Sequence, residues 1–304
     1  MELSSVLGHT QTLNLIKAIM EKSKFCGTYI FCGPDGIGKK MIAKIVARKL
    51  NNAEENTEHP DIHVIEHGQS QIKIEDIRDI QRQANLRPYQ GKMNIFIIDN
   101  SHKLNLDAAN SFLKVLEEPP QDTLIILITH KLQNIIKTVL SRCKQIKFAP
   151  LAKCALEDIL IKNYCLDKTI AHFLSFYSEG RIGLALKLKD ASILEEKNKI
   201  IDSFVFSSKA IDHNIIGQSK EQMCIFFNIL ASWFRDIYLL KSGLPDKEAI
   251  HLDRKNDLLK EVARLSFKQL DDIMMTISES LLYLEKNINS KLILYNLGAQ
   301  LWKA

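Results

Sequence analysis

No CxxC pair occurs in this chain of 304 residues, although six cysteines are present: Cys26, Cys32, Cys143, Cys154, Cys165 and Cys224. A zinc site shows close cysteine pairs, and in a chain this long these cysteines read as reduced, mostly buried thiols, with neither a disulfide framework nor a metal site expected. Glycine (12) and proline (7) are scarce, which excludes a low-complexity linker. No unbroken apolar run approaches the roughly 18 to 20 residues that span a membrane. The start, Met1-Glu2-Leu3-Ser4, has neither the basic segment nor the apolar core of a signal peptide. A cytosolic, cytoplasmic protein is the expectation. Neither sign of charge dominates: the net charge of +5 permits contact with nucleic acid without demanding it. No internal repeat is visible. The length suggests roughly two or three domains.

What is present begins with Gly33-Pro34-Asp35-Gly36-Ile37-Gly38-Lys39-Lys40. An apolar run (Tyr29, Ile30, Phe31, Cys32) precedes it. An amphipathic run with Ile42, Ile45, Val46 and Leu50 at helical spacing follows. Strand, glycine-rich turn and helix form the context of a phosphate-binding loop. Gly33, Gly36 and Gly38 let the backbone aim N–H groups inward, and the helix N-terminus adds partial positive charge. Lys39 would reach terminal phosphates. The next position calls for Ser or Thr, whose hydroxyl holds Mg²⁺, and here it is Lys40.

Apolar strands and amphipathic helices alternate as far as about residue 148. Strands are expected at 61–65, 94–98, 123–128 and 144–148, with helices at 11–21, 39–50, 74–85 and 105–118. This α/β pattern implies a parallel sheet covered on both faces, with ligands at the carboxyl ends of the strands. After Pro150 no convincing strand remains. Short helices at about 154–163, 167–177 and 181–189 precede two long apolar stripes. One runs Met223, Phe226, Phe227, Leu230, Trp233, Phe234, Ile237. The other runs Leu270, Ile273, Ile277, Leu281, Leu284, Ile288.

Asp99 ends the run Asn94–Ile98, where a Walker B acid would bind Mg²⁺. The base that activates water in hydrolysing enzymes is usually a Glu at the next position. Asn100 stands there, and an amide cannot accept that proton. Thr129, after strand 123–128, holds the position of a γ-phosphate sensor. Glu117 and Glu118 read as a helix end before Pro119-Pro120 rather than a catalytic pair. His59, His102 and His130 lack metal-ligand spacing.

Several motifs now combine. His59-Pro60-Asp61, Ile72-Lys73-Ile74 through Ile77-Arg78, and Pro88-Tyr89 before Phe96-Ile97-Ile98-Asp99 are three of them. Ala108 through Pro120 and Ser141-Arg142-Cys143 are the others. In order and spacing they resemble the AAA+ clamp-loader family of bacterial DNA polymerase III, strongly over residues 6–150. The likeness is weaker at Gly180 to Leu186, Trp233 to Asp236 and Asn287 to Leu297. The resemblance implies three parts. Residues 1–149 would be an AAA+ P-loop NTPase (RecA-like) domain, 150–195 a small helical lid, and 196–304 an all-α collar for oligomerisation. It places His9 near an adenine pocket, as local structure. Many relatives carry a four-cysteine zinc module after the phosphate loop, but residues 51–60 contain no cysteine.

The departures separate subunit types. The ATP-hydrolysing gamma/tau type has a Walker A threonine, a Walker B glutamate and a sensor 2 arginine. This chain has Lys40, Asn100 and Gly183. The delta type usually lacks Ser-Arg-Cys. The combination resembles the family's non-hydrolysing subunit, which keeps that motif while its own site decays. By that resemblance Arg142 is an arginine finger, acting in trans on ATP-Mg bound by a neighbouring gamma/tau subunit, with Ser141 and Cys143 shaping the motif. The implied partners are gamma/tau and delta, with the sliding clamp and primed DNA met through the complex. No cofactor of its own is required. Two alternatives stand beside this reading: a gamma/tau-like motor that tolerates its lesions, and a module that binds ATP weakly without hydrolysis, Lys40 supplying charge where Mg²⁺ would sit.

Overall fold

A computed structural model describes residues 6–22, 25–54, 57–66, 70–190, 193–206, 219–286 and 288–301. Met1 to Ser4 and Asn287 lie outside the described residues. The chain divides into two compact units, Met1–Ala152 with Glu179–Leu184, and Lys153–Ser178 with Ala185–Ala304.

The first unit runs α1 (Thr10–Glu21), β1 (Gly27–Cys32), α2 (Lys39–Asn51), β2 (Ile62–Ile65), α3 (Ile74–Ala84), β3 (Asn94–Ile98), α4 (Leu106–Glu117), β4 (Thr123–Thr129), α5 (Lys137–Leu140) and β5 (Lys144–Lys147). The strands form one parallel sheet in the order β2-β3-β4-β1-β5. Alternation within each apolar run supplies both faces. Tyr29, Phe31, Ile95, Ile97, Leu124 and Ile126 pack with Leu13 and Ile16 of α1 and Ile42 and Val46 of α2. Ile30, Phe96, Ile98, Ile125 and Leu127 pack with Ile77 and Ile80 of α3 and Ala109 and Phe112 of α4. A strand buried on both sides has no polar face, which is why β3 and β4 read as unbroken apolar runs. On edge strand β5 only Ile146 is buried.

The His59-Pro60-Asp61 motif has a structural task. The buried Asp61 carboxylate accepts the backbone N–H groups of Tyr89, at 2.6 Å, and of Gln90 and Gly91, at 2.8 and 2.6 Å. Burial opposes its ionisation, but these three donors outweigh it and hold its pKa below the usual value. Asp61→Ala would leave three N–H groups without their acceptor and is expected to lower stability by about 3 kcal/mol. Because the folded pKa is depressed, the wild type carries this stabilisation above the ordinary aspartate pKa and loses it as pH falls. Denaturant melts of both proteins at pH 7 and pH 3 check this: the gap between them should shrink at the lower pH.

In the second unit every described regular element is helical. α6 (Lys153–Tyr164), α7 (Lys168–Tyr177), α8 (Ile182–Asp190, begun within the first unit) and α9 (Ile193–Ile201) come first. α10 (Lys220–Lys241), α11 (Lys255–Arg264), α12 (Phe267–Glu285) and α13 (Ser290–Leu301) follow. Three sequence expectations need correction. Within α10, Gln222–Lys241 is long and apolar enough, with a mean hydropathy of 1.4, to cross a membrane by length and composition. The apolarity has another cause: Phe226, Phe227, Leu230, Trp233, Phe234 and Ile237 form the buried centre of this unit. The cysteines are all free, but only Cys32 is buried, while Cys26, Cys154 and Cys165 are exposed. Ile288 also leaves its expected stripe. α12 ends three residues earlier, and Ile288 is exposed.

Candidate functional site

The loop between β1 and α2 has the backbone that its glycines foretell. Gly33, Gly36 and Gly38 have φ of 147°, 73° and 94°. At Gly33 a Cβ would lie 2.2 Å from the carbonyl oxygen of Phe148, so conformation and space both require glycine. Lys39 is buried and donates to the carbonyl oxygens of Gly33, at 2.7 Å, and Pro34, at 2.5 Å. Burial lowers its pKa against the pull of Asp35 and Asp99. His9 Nε2 lies 2.7 Å from the Ile37 carbonyl oxygen, tying the segment before α1 to the loop.

Lys40 points to the strand ends. Its Nζ lies 2.5 Å from Glu66 Oε2 and 3.3 Å from Asp99 Oδ2. Burial depresses its pKa, but the two carboxylates outweigh burial and raise it, so Lys40 is an ammonium at neutral pH. Sequence reasoning missed Glu66. A signal was available: Ile65 and Ile98 are register partners on adjacent parallel strands, and each is followed by an acid. Asp35 was missed as well, a carboxylate on the loop itself, close enough to act on Lys39 and His130.

The remaining positions of the site are engaged locally. Asn100 has a left-handed φ of 51° and donates its N–H to Asp99 Oδ1 at 2.9 Å. Thr129 is buried. Its Oγ1 accepts the Lys131 N–H at 3.0 Å and lies 3.3 Å from His102 Nδ1. His102 is held down to about 4 by burial, then by its neighbour His130 and by the charges of Lys131 and Lys103. His130 is lowered too, first by burial, so both imidazoles are neutral at pH 7. The Gly183 N–H donates to the Gly36 carbonyl oxygen at 2.7 Å, within the first unit. A Cβ at Gly183 would lie 2.8 Å from that oxygen. A sensor 2 arginine does not fit this contact.

Arg142 lies elsewhere. Its motif precedes β5, and β5 pairs with β1 in parallel, Lys144 beside Tyr29 and Lys147 beside Cys32. Arg142 therefore sits toward the amino end of the sheet and the phosphate loop at the carboxyl end. β5 alone separates those ends by about 10 Å. Arg142 Nε donates to Glu117 Oε2 at 3.1 Å and Nη1 to the Thr138 carbonyl oxygen at 2.9 Å. Its side chain is 30% exposed and that of Glu117 60%. Glu117 is thus the partner of Arg142, a pairing that its place at a helix end did not suggest. Ser141 Oγ donates to the Thr138 carbonyl oxygen and Cys143 Sγ to that of Val139. Burial pushes the Cys143 thiol up to about 12, which removes it as a nucleophile.

Three comparisons bear on this arrangement. Residues 8–152 match the family described as DNA polymerase III, delta subunit. The chain is similar to DNA polymerase III subunit delta' of Bacillus subtilis, 24% identical over 92% of each chain. It is 30% identical to the tau subunit of Escherichia coli over 62% of this chain, which spans only 33% of that longer protein. Among solved structures it resembles a DNA polymerase III gamma subunit-related protein of Thermotoga maritima. The TM-score is 0.56 at 18% identity, covering 96% of this chain and 98% of that one. The RuvB Holliday junction branch migration motor of the same organism gives 0.50 at 16% identity, covering 95% and 85%. These last two likenesses concern the fold alone: a parallel sheet covered by helices, followed by further helices.

Proposed function

We propose that this chain, a member of the clamp-loader family of DNA polymerase III subunits, is a delta-prime subunit whose own ATP site no longer hydrolyses and whose Arg142 serves a neighbour. It takes part in loading the sliding clamp during DNA replication. The observation that carries the arginine-finger reading is the opposed placement of Arg142 and the phosphate loop across the parallel sheet. A guanidinium at the amino end cannot serve the loop at the carboxyl end of the same sheet, so its phosphate partner belongs to another chain. Loss of hydrolysis follows from Lys40 in place of the hydroxyl, Asn100 in place of the base, and Gly183 in place of the sensor arginine.

The partners are gamma/tau and delta, which meet the clamp and primed DNA with it in the cytoplasm. Residues 150–195 act as the lid and 196–304 as the collar. Met275 and Leu282 on α12 and Leu292 and Tyr295 on α13 are exposed apolar side chains on adjacent helices, suited to burial against other subunits.

Two measurements test this. Co-purification with gamma/tau and delta should give a stable hetero-oligomer; no association at micromolar concentrations would end the reading. The isolated chain should show no ATP turnover above background. Turnover abolished by Lys39→Ala would instead identify it as a motor.

A further inference from the structure

The residues around Asp99 do not fit the Mg²⁺ that the fold family uses. Mg²⁺ needs a near-octahedral set of oxygens at about 2.0–2.1 Å, and in P-loop NTPases the loop Ser/Thr and the Walker B Asp supply protein ligands. Here the hydroxyl is absent. The Asp99 oxygen that faces the loop already has the Lys40 ammonium 3.3 Å away. A divalent ion on that oxygen would stand within a few ångströms of a fixed positive charge. It would also compete for Asp99 with a cation that is covalently part of the chain.

We infer that Lys40 is a tethered replacement for the divalent cation, pairing Asp99 and Glu66 so that the carboxyl ends of β2 and β3 are held to α2 without metal. Three observations support it. Lys40 contacts both carboxylates at once, at 2.5 and 3.3 Å. Those carboxylates follow register-paired residues, Ile65 and Ile98, on neighbouring strands, where two unpaired acids would repel. Lys44 approaches the other Glu66 oxygen at 3.8 Å from the next turn of α2, so the acids are compensated from one helix.

The tether has a consequence for dynamics. A P-loop motor gains and loses Mg²⁺ with its nucleotide, so the environment of its strand ends changes through the cycle. Here the counter-ion never leaves. This wall of the unit is set by the fold and not by nucleotide or Mg²⁺ concentration. The inference concerns the cation at this loop and stands apart from the clamp-loading reading and from Arg142.

Lys40→Thr tests it by restoring the hydroxyl and freeing both carboxylates. Melting of the wild type should be the same in chelator and in millimolar Mg²⁺. Lys40→Thr should melt lower in chelator and recover by about 2–4 °C with Mg²⁺. Lys40→Thr combined with Asp99→Asn should lose that recovery. A Mg²⁺-dependent rise in the wild type, or a Lys40→Thr variant indifferent to Mg²⁺, would overturn the inference. A second measurement needs no variant. Sub-stoichiometric Mn²⁺ should leave the amide signals of Ile98 and Asn100 in the wild type unbroadened; selective broadening there would place a divalent ion where Lys40 is argued to exclude it.

Discussion

Arg142→Ala, in the reconstituted complex, is expected on the proposed arginine-finger reading to slow ATP turnover at an adjacent gamma/tau site by about 10³-fold or more, with assembly intact. That is the lower range for arginine fingers, which neutralise charge on a transferring phosphoryl group without reacting themselves. The competing account is concrete, because the side chain is already paired with Glu117 at 3.1 Å. If that exposed ion pair were its whole role, its loss would cost about 0–1 kcal/mol of stability and nothing in turnover. Two further substitutions separate the accounts. Arg142→Lys keeps the charge but loses the planar fork, so the finger reading expects it to fail. Glu117→Gln removes the resting partner and leaves the guanidinium, so the finger reading expects turnover to be retained. The readout is single-turnover hydrolysis with clamp and primed DNA present, since steady-state totals dilute one slow site among several. Unchanged turnover in Arg142→Ala would make the residue a surface ion pair.

Asp236→Ala is expected to have the largest effect on stability, about 3–5 kcal/mol, read as a fall of roughly 10 °C in the melting of the helical unit. Asp236 is fully buried on α10. One oxygen accepts the N–H groups of Ile250, at 2.7 Å, and His251, at 2.8 Å, while the other meets Arg235 at 3.0 Å. Alanine would leave two buried donors unsatisfied and a cavity at a fully buried position. Asp236→Asn keeps an oxygen for both donors and should cost far less.

The pH dependence has a definite sign. Burial raises Asp236 to about 6, against the backbone donors and Arg235. Between the unfolded value of 3.8 and about 6 the folded protein holds the extra proton, so stability from this group falls as pH rises through that window. His251 works oppositely. It is buried, with Nε2 2.9 Å from Ser232 Oγ, and burial followed by Lys197, Arg254 and Arg235 lowers its pKa. Its contribution falls as pH drops below the ordinary histidine value. Asp236→Asn should remove the first slope and keep the second. Urea melts from pH 4.5 to 7.5 show whether it does.

The likeness at Trp233 to Asp236 thus has a stability explanation that no spacing could give. Asp236 caps the backbone of residues 250–251, fourteen positions away, and only folding brings that turn to α10. The same limit applies at the site. Glycines at 33, 36 and 38 were legible because each type answers a local backbone need. Glu117 beside Arg142, and Glu66 beside Lys40, were not, because those pairs come from separate elements.

The sequence by itself determined the alternating strands and helices, the two-sided sheet, the phosphate loop and the residues missing from it. Each of these is periodic or local, and side-chain chemistry at fixed spacing is enough to reveal it. Tertiary structure alone decided what filled the gaps. Parallel pairing in register set Glu66 and Asp99 side by side with Lys40 between them. It also put Arg142 at the far end of the sheet from its own loop. Packing of Gly183 on Gly36 left no room for a side chain at that position. Such outcomes depend on distances between elements remote in the chain, and a linear order of residues contains no such distance until the sheet has formed.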